Sequence, residues 1–289
     1  MYHIIMLFLW LIGLFPFWFI YWLSDLLYYL CYYIIAYRKA VVFNNIRNSF
    51  PQHSEEEIKV IAKQFYHNFC DVLVEYIKLL SLSEGQVRRM VEFRNGELLE
   101  ELRHNKRGVL ILQGHFLNWE LSLMLGPQIS KSKRHVVYKK LSSNNFEKII
   151  HKLRTKFGTN MLTMHETLDF IRNNEADSTA EHGLYHFGAD QAPMMHKIEY
   201  WGSFLNQETP FFTGPENIAK ELNIPVVYLD LQRVSRGKYL IEYRMVEENP
   251  ANTEKYELTD KYISLLEEAI NKNPANYLWS HKRWKNKRS

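Results

Sequence analysis

The sequence has little cysteine, glycine or proline, and each shortage excludes a class of protein. Two cysteines, Cys31 and Cys70, are too few for a disulfide scaffold or for a metal site of four thiolates. Twelve glycines and nine prolines in 289 residues exclude a collagen-like or linker-dominated chain. With 46% apolar and 24% charged residues, the composition is that of a folded protein. The length suits one large domain or two small ones with a hydrophobic core.

Charge is almost absent from the first 36 residues, where Asp25 is the only charged side chain, while 13 of the 42 aromatic residues lie there. Ile4 to Leu23 is an uncharged run of 20 residues, which as a helix spans roughly 30 Å, one hydrocarbon core. A signal peptide fits poorly, because the start lacks lysine and arginine and bulky residues continue beyond the run. A buried core helix is the alternative. The Trp and Tyr residues, typical of headgroup depth, favour a membrane anchor.

Two features set the expected arrangement of this anchor. Pro16 would kink a helix, so a tilted or partly re-entrant segment is as plausible as a straight span. The first basic residues, Arg38 and Lys39, follow the apolar stretch. By the positive-inside tendency, the rest of the chain is expected on the cytoplasmic side.

The positive charge of the chain is concentrated at its C-terminus. Residues 281–289 hold no acid and five basic side chains, so this tail alone exceeds the net charge of +4: Lys282, Arg283, Lys285, Lys287 and Arg288. Trp279 and Trp284 lie among them. The pattern favours an anionic membrane surface or an acidic protein partner, with nucleic acid or a plain solvated tail as alternatives.

Hydrophobic periodicity predicts alternating helices and strands after the anchor. Ser54 and Glu57 form a capping box before a long amphipathic helix. Further helices are predicted at 117–125, 144–157, 215–222 and 254–271, and strands at 108–113, 135–138, 184–189, 224–232 and 238–247. This alternation predicts an α/β fold with a mixed, largely parallel sheet covered by helices.

The residues best suited to chemistry follow the first predicted strand. The strand ends at Gln113, Gly114 permits a tight exit, and His115 lies where catalytic groups of open α/β sheets gather. If His115 precedes the next helix, Glu120 can reach back to one ring nitrogen and leave the other free as a base. With no Ser or Cys nucleophile adjacent, we predict that His115 deprotonates a substrate hydroxyl. A surface histidine and an unrelated helix-surface glutamate are the alternative.

The stretch Gly114-His-Phe-Leu-Asn-Trp-Glu120 resembles the Gly-His-x(3)-Trp-Glu signature of late acyltransferases of lipid A biosynthesis. These are the lauroyl and myristoyl transferases, which are related to bacterial phosphatidylinositol mannoside acyltransferases. The resemblance continues in order along nearly the whole chain, at Tyr37-Arg38, 44–51, 137–140, 144–148, Leu153-Arg154, Phe157-Gly158, 189–191, Phe204, Thr209, Gly214, Ala219, 225–227 and 279–285. It departs from the family pattern at 192–195 and at 204–209.

The resemblance implies a glycerolipid acyltransferase-like fold, with a membrane anchor at 1–36 and an acyltransferase domain at 37–289. It implies transfer of a fatty acyl chain from an acyl carrier protein thioester to a hydroxyl of a lipid A precursor, with no cofactor. The site would be at the bacterial inner membrane and face the cytoplasm. His115 is the expected general base and Glu120 its orienting group. The expected substrate-binding residues are Asn118, Arg154, Asp190, Gln191 and Thr209.

Roles follow for some of these residues. Asn118 is a candidate donor to the tetrahedral oxyanion, with backbone N–H groups as the alternative. Arg154, with Lys139 and Lys140, is a candidate for binding a lipid phosphate. The basic tail, or Lys152 and Lys156, would steer the acidic carrier protein. Asp190, Gln191 and Thr209 match family positions without an assigned role.

The sequence leaves several alternatives open for the acceptor and for the activity. The acceptor could instead be a lysophospholipid, an aminolipid or a glycosylated phosphatidylinositol, or the chain could be a lipid-binding protein without activity. We expect no nucleic-acid partner. His182 and His186, with His196 nearby, have metal-like spacing, but a strand would not bring the first two together, so we expect no metal.

Overall fold

A computed structural model describes residues 2–104, 107–126, 133–141, 143–177 and 182–288. The helices are α1 (Tyr2–Leu14), α2 (Phe17–Tyr29), α3 (Lys39–Ser49), α4 (Glu55–Ser81), α5 (Glu84–Arg88), α6 (Glu97–His104), α7 (Glu120–Met124), α8 (Asn144–Arg154), α9 (Thr167–Ala176), α10 (Gly214–Leu222) and α11 (Glu257–Lys272). The strands are β1 (Val91–Arg94), β2 (Val109–Gln113), β3 (Arg134–Tyr138), β4 (Asn160–Thr163), β5 (Leu184–Gly188), β6 (Tyr200–Phe204), β7 (Gln207–Phe211), β8 (Val226–Ser235) and β9 (Lys238–Glu247).

Seven strands form one sheet in the order β1-β9-β8-β2-β5-β3-β4, and β6 pairs with β7 as a separate antiparallel hairpin. All neighbours in the large sheet are parallel except β8 and β9. The central strand β2 is buried at all five positions, as expected for a strand with helices on both faces. The predicted α/β fold, with its mostly parallel mixed sheet covered by helices, is confirmed.

The ends of the predicted elements shift, most strongly after β2. The predicted helix at 117–125 is reduced to α7, because Leu117 adopts a left-handed conformation (φ +40°) and the helix begins only at Glu120. Residues 114–119 therefore leave β2 as irregular backbone. We call them the catalytic loop after the role predicted for His115. The sequence patterns did not predict β1, β4, β6 and β7, which have only four or five residues each.

Helix α4 is the longest helix among the described residues and supports the N-terminal half. Its predicted capping box is present, since the Glu57 amide donates to Ser54 Oγ and the Ser54 amide donates to Glu57 Oε2. At the other end, the Lys156 ammonium donates to the carbonyls of Leu79, Leu80 and Leu82 at 2.6–2.9 Å. Lys156, expected in a carrier-protein docking surface, thus stabilises the C-terminal end of this helix.

The N-terminal helices α1 and α2 meet at Pro16, the N-cap of α2, with a bend of 116°. A break at the expected position is therefore present. Within the described ranges no single helix combines the length and apolar character needed to cross a bilayer. Only α1 taken together with Phe17–Ile34, the helical stretch that begins with α2, has them. The outward side of this bent pair exposes large apolar side chains, among them Ile4, Phe8, Trp18, Trp22 and Leu26.

The inward side of this pair is bound to α4 by polar groups as well as by packing. The Lys78 ammonium donates to the carbonyls of Gly13 at 2.8 Å and Phe15 at 2.6 Å, where α1 ends. It thereby satisfies carbonyls that the broken helix leaves without an intrahelical partner.

Asp71 of α4 forms a second polar contact with the N-terminal helices, and it also links them to the sheet. Its carboxylate accepts from Ser24 Oγ at 2.6 Å, from Arg233 Nη2 at 2.5 Å and from Arg236 Nε at 3.0 Å. Arg236 also pairs with Asp25, the single charge of the apolar segment. Charges from three distant parts of the chain therefore neutralise one another at this junction.

The basic C-terminal segment is folded onto the body of the protein. Trp279 is fully buried and Arg283 is 1% exposed. The Arg283 guanidinium donates to the Pro210 carbonyl at 2.7 Å and lies 4.5 Å from the ring centre of Phe211. The expectation that the whole tail is exposed is thus wrong for Arg283, because its guanidinium packs against the ring of Phe211 in the core. The other cations are exposed: Lys282, Lys285, Lys287 and Arg288.

We predict that Asp71→Ala lowers the free energy of unfolding by about 3 kcal/mol, because removing one partner of a buried ion pair leaves Arg233 uncompensated. Urea unfolding in detergent measures this change. The control is Asp169→Ala, whose carboxylate is 77% exposed and pairs with Arg172 on the surface, and which should leave the midpoint unchanged. Equal midpoints for both variants would contradict the prediction.

Candidate active site

The C-terminal ends of β2 and β5 lie side by side in the sheet. The strands are parallel, and their register pairs Gln113 with Gly188. Since parallel neighbours advance together, the residues two positions beyond this pair emerge next to each other. These residues are His115 and Asp190.

Asp190 holds His115 through two hydrogen bonds, one to the imidazole and one to the backbone. Its Oδ1 lies 2.5 Å from His115 Nδ1, and its Oδ2 accepts from the His115 backbone N–H at 2.9 Å. Gln191 Nε2 lies 3.1 Å from His115 Nε2. Because an ionised carboxylate only accepts, Nδ1 carries the proton and Nε2 presents its lone pair. The His115 side chain is 19% exposed, and its Nε2 lone pair faces the Gln191 amide.

The surroundings of Asp190 keep it ionised. Burial raises the pKa of this carboxyl. The electrostatic interaction with the His115 ring, the two hydrogen bonds from His115 and the buried guanidinium of Arg283 outweigh burial, and the pKa lies below its usual value. Burial and the Asp190 charge raise the pKa values of Tyr262 and Tyr277 well above normal, so both phenols are neutral. Asp190 is therefore the anion of this buried cluster.

Gly188 leaves the space that the imidazole occupies. A Cβ atom at this position would lie 2.9 Å from His115 Cε1, closer than side-chain carbons approach. On another side the ring contacts Trp119 edge-on, with centroids 5.0 Å apart. The imidazole is thus held between a strand end and the catalytic loop.

Glu120 has a different partner from the one we expected. Its two oxygens accept from Arg154 Nε at 2.8 Å and Nη2 at 2.7 Å, a bidentate pair. Glu120 is 1% exposed and needs a counter-ion, which the end of α8 supplies. Although burial lowers the pKa of Arg154, the charge of Glu120 raises it overall. The predicted contact between Glu120 and His115 is wrong, and the carboxylate that orients His115 is Asp190.

The five expected substrate-binding residues fall into separate groups. Asp190 and Gln191 contact His115, whereas the Arg154 fork is engaged by Glu120 rather than open to a phosphate. Asn118 donates through Nδ2 to Glu75 at 2.8 Å, so the nitrogen expected at the oxyanion has another acceptor.

Thr209 belongs to the hairpin that holds the C-terminal segment. Its hydroxyl donates to the Gln207 carbonyl and accepts from Trp284 Nε1, both at 2.8 Å. It is fully buried. The contacts of Thr209 are therefore with the C-terminal segment, and a role in substrate binding stays a prediction.

The sequence patterns did not predict that Glu75 and Arg283 support the site. For Glu75 a signal existed, since it lies three residues after Val72 and four before Leu79, both in the apolar stripe of α4. A charged residue at such a position is buried with partners. No local pattern marked Arg283, because its burial depends on strands about seventy residues earlier in the chain.

A metal centre gains no support from the geometry. Among the described residues, no group of three or more His, Cys, Asp or Glu side chains is arranged to hold an ion. His182 Nδ1 lies 3.1 Å from Glu175 Oε2, while the ring of His186 is buried in β5. The two histidines with metal-like spacing therefore have different surroundings.

The fold and the site define an α/β protein with a histidine–carboxylate pair at the C-terminal edge of its parallel strands, a place where such sheets carry out chemistry. The model of the bacterial lipid A biosynthesis acyltransferases matches residues 1–286, and the chain belongs to this family. It is thus an enzyme that transfers acyl groups. Comparison with curated protein sequences found no significant match to an individual protein.

We predict that Gly188→Ala lowers acyl transfer roughly 100-fold, because the added methyl displaces the imidazole from its position between Asp190 and the acceptor. Initial rates with purified protein measure the loss. Gly85→Ala is the matched control, since a Cβ there meets nothing within 4 Å. Wild-type rates in Gly188→Ala would show that the His115 ring position is not critical.

Proposed function

We propose that this enzyme is a membrane-bound O-acyltransferase that moves a fatty acyl chain from an acyl carrier protein thioester to a hydroxyl of a lipid A precursor. The proposal depends above all on the His115 ring, whose Nδ1 is held by Asp190 while Nε2 presents its lone pair. Family membership supports acyl transfer and a lipid A-type acceptor.

The acceptor hydroxyl takes the place of the Gln191 amide at Nε2 and transfers its proton there. Its oxygen forms a bond to the thioester carbonyl carbon, and the carbonyl becomes a tetrahedral oxyanion. Asp190, ionised and buried, stabilises the imidazolium that results. When the carbon–sulfur bond breaks, the leaving thiolate takes the proton from His115. A thioester is already activated, so no covalent enzyme intermediate is required.

The acceptor is a lipid, and the N-terminal helices suit a lipid surface. Trp18 is 72% exposed and Trp22 is 56% exposed on the outward side of α2, while the single charge of the segment, Asp25, pairs with Arg236. An exposed aromatic face of this kind is typical of helices that lie at the membrane interface. We place the enzyme at the bacterial inner membrane, with the catalytic site facing the cytoplasm.

The carrier protein is acidic, and two exposed lysines lie on the same edge of the sheet as His115. They are Lys139 and Lys140, which directly follow β3, whose C-terminal end shares that edge. Lys152 is exposed on α8. Cations in such positions increase the association rate of an acidic partner. The same lysines are available to a lipid phosphate.

We predict that His115→Ala lowers kcat about 10²–10⁴-fold, the usual contribution of a positioned general base. Asp190→Asn should lower it by roughly 100-fold or more, because an amide donor at Nδ1 stabilises the wrong tautomer. The assay combines purified protein, carrier protein loaded with a labelled acyl chain, and a lipid A precursor. Glu208→Gln, which removes a surface charge paired with Arg288, is the control.

Full activity of His115→Ala would contradict the mechanism. Acylation of a lysophospholipid or a glycosylated phosphatidylinositol in place of the lipid A precursor would contradict the acceptor. Lipid binding without turnover by the wild-type protein would contradict catalysis as a whole.

We predict that Trp18→Asp combined with Trp22→Asp weakens binding to vesicles of phosphatidylethanolamine and phosphatidylglycerol at least tenfold. Burying each such side chain contributes roughly 1.5–3 kcal/mol, and co-flotation measures the loss. Val60→Asp, at an exposed apolar position on α4, is the control. Undiminished flotation of the double variant would show that another surface holds the protein on the membrane.

A further inference from the structure

Glu75 is a buried carboxylate to which three side chains donate. Its Oε1 accepts from Tyr21 Oη at 2.8 Å, and its Oε2 accepts from Asn118 Nδ2 at 2.8 Å and from Tyr239 Oη at 2.5 Å. Its own exposed fraction is zero. Such a group is costly to bury unless every partner is aligned.

The three donors come from parts of the protein with different roles. Tyr21 lies on α2, the helix that also exposes Trp18 and Trp22. Asn118 lies in the catalytic loop, three residues after His115. Tyr239 lies on β9 in the sheet. One carboxylate therefore joins the proposed membrane-facing helix, the catalytic loop and the sheet.

The catalytic loop depends on contacts of this kind for its shape. It has no regular secondary structure between β2 and α7, and Leu117 holds a left-handed conformation. The Leu117 amide donates to the Asn276 carbonyl at 2.9 Å on one side of the loop. Glu75 holds the other side and fixes the orientation of the Asn118 amide, since a carboxylate accepts only the NH₂ end.

Packing alone does not favour a carboxylate at position 75. Burial raises the pKa of Glu75, which reflects the unfavourable desolvation of its charge. Apolar side chains of similar volume often give equal or greater stability at such positions. The carboxylate instead provides an acceptor that fixes the orientation of three hydrogen-bond donors, on Tyr21, Asn118 and Tyr239.

We propose that Glu75 is a positioning residue that fixes the conformation of the catalytic loop through Asn118. Through Tyr21 it also links the position of this loop to that of α2. This inference rests on the proposed function, in which His115 is the base. Glu75 contacts no substrate in this scheme. The binding of α2 to the lipid surface and the orientation of His115 are then coupled through the side chain of Glu75.

The test uses the full-length enzyme and variants that remove one hydrogen bond each. Tyr21→Phe removes the link to α2, and Tyr239→Phe removes the link to the sheet. Tyr185→Phe is the matched control. It deletes a Tyr–Glu bond, to Glu175, together with the bond that the Tyr185 hydroxyl accepts from Asn174, and both lie beside Gly108, at the end of the strands opposite to His115. Thermal midpoints, kcat and KM are measured for each on phosphatidylethanolamine and phosphatidylglycerol vesicles.

We expect Tyr21→Phe to lower kcat roughly 2- to 10-fold, the equivalent of one hydrogen bond, with KM for both substrates unchanged. Glu75→Ala should lower kcat roughly 100-fold. Glu75→Gln combined with Asn118→Asp exchanges the donor and the acceptor, and should recover activity relative to Glu75→Gln alone. Tyr185→Phe should change the thermal midpoint but not kcat.

Hydrogen exchange followed by mass spectrometry gives a readout that does not require activity. Peptides covering the catalytic loop should exchange faster in Tyr21→Phe and at the wild-type rate in Tyr185→Phe. Wild-type kcat and wild-type exchange in Tyr21→Phe and Tyr239→Phe would overturn the proposal. If the wild type shows no His115-dependent transfer, the proposed function fails, and loop exchange still decides whether Glu75 couples α2 to the loop.

Discussion

The parallel pairing of β2 with β5 is the constraint on which the candidate site depends. Register places His115 and Asp190 equally far beyond the paired residues Gln113 and Gly188, so the imidazole and its carboxylate meet without a long loop. A slip of one residue would turn the side chains of β5 to the opposite face and separate the pair. The hydrophobic core that buries both strands therefore also sets the chemistry at their ends.

Buried charges around the site are neutralised by partners that are distant in sequence. Glu120 pairs with Arg154, Asp71 with Arg233, and Asp190 with His115 in the field of Arg283. Removing one partner of any of these pairs is strongly destabilising, because the remaining charge would stay desolvated. These pairs hold the charges around the site in fixed positions. Within this arrangement Nδ1 of His115 is bound by Asp190, and Nε2 contacts the Gln191 amide.

Local patterns predicted much of the fold and part of the site. The continuous apolar run of β2, the alternation in β8 and β9, the capping box of α4 and the break at Pro16 are all readable from short windows. His115 was predicted as a site residue from its place after a buried strand. The partner of His115 was not, because it lies 75 residues further on and is brought near only by sheet register. Glu120, close in sequence, was predicted in its place. Arg283 was read as an exposed cation because composition carries no information on tertiary burial.

The burial of Arg283 has a consequence for the order in which contacts can form during folding. Lys78 and Asp71 of α4 bind helices that lie 65 and 47 residues away in sequence. The guanidinium that lowers the pKa of Asp190 lies 93 residues after it and is held by the Pro210 carbonyl of β7. A folding intermediate in which the sheet has formed but this segment has not yet packed on β7 would therefore hold Asp190 without that cation, and its histidine–carboxylate pair would differ electrostatically from the native one.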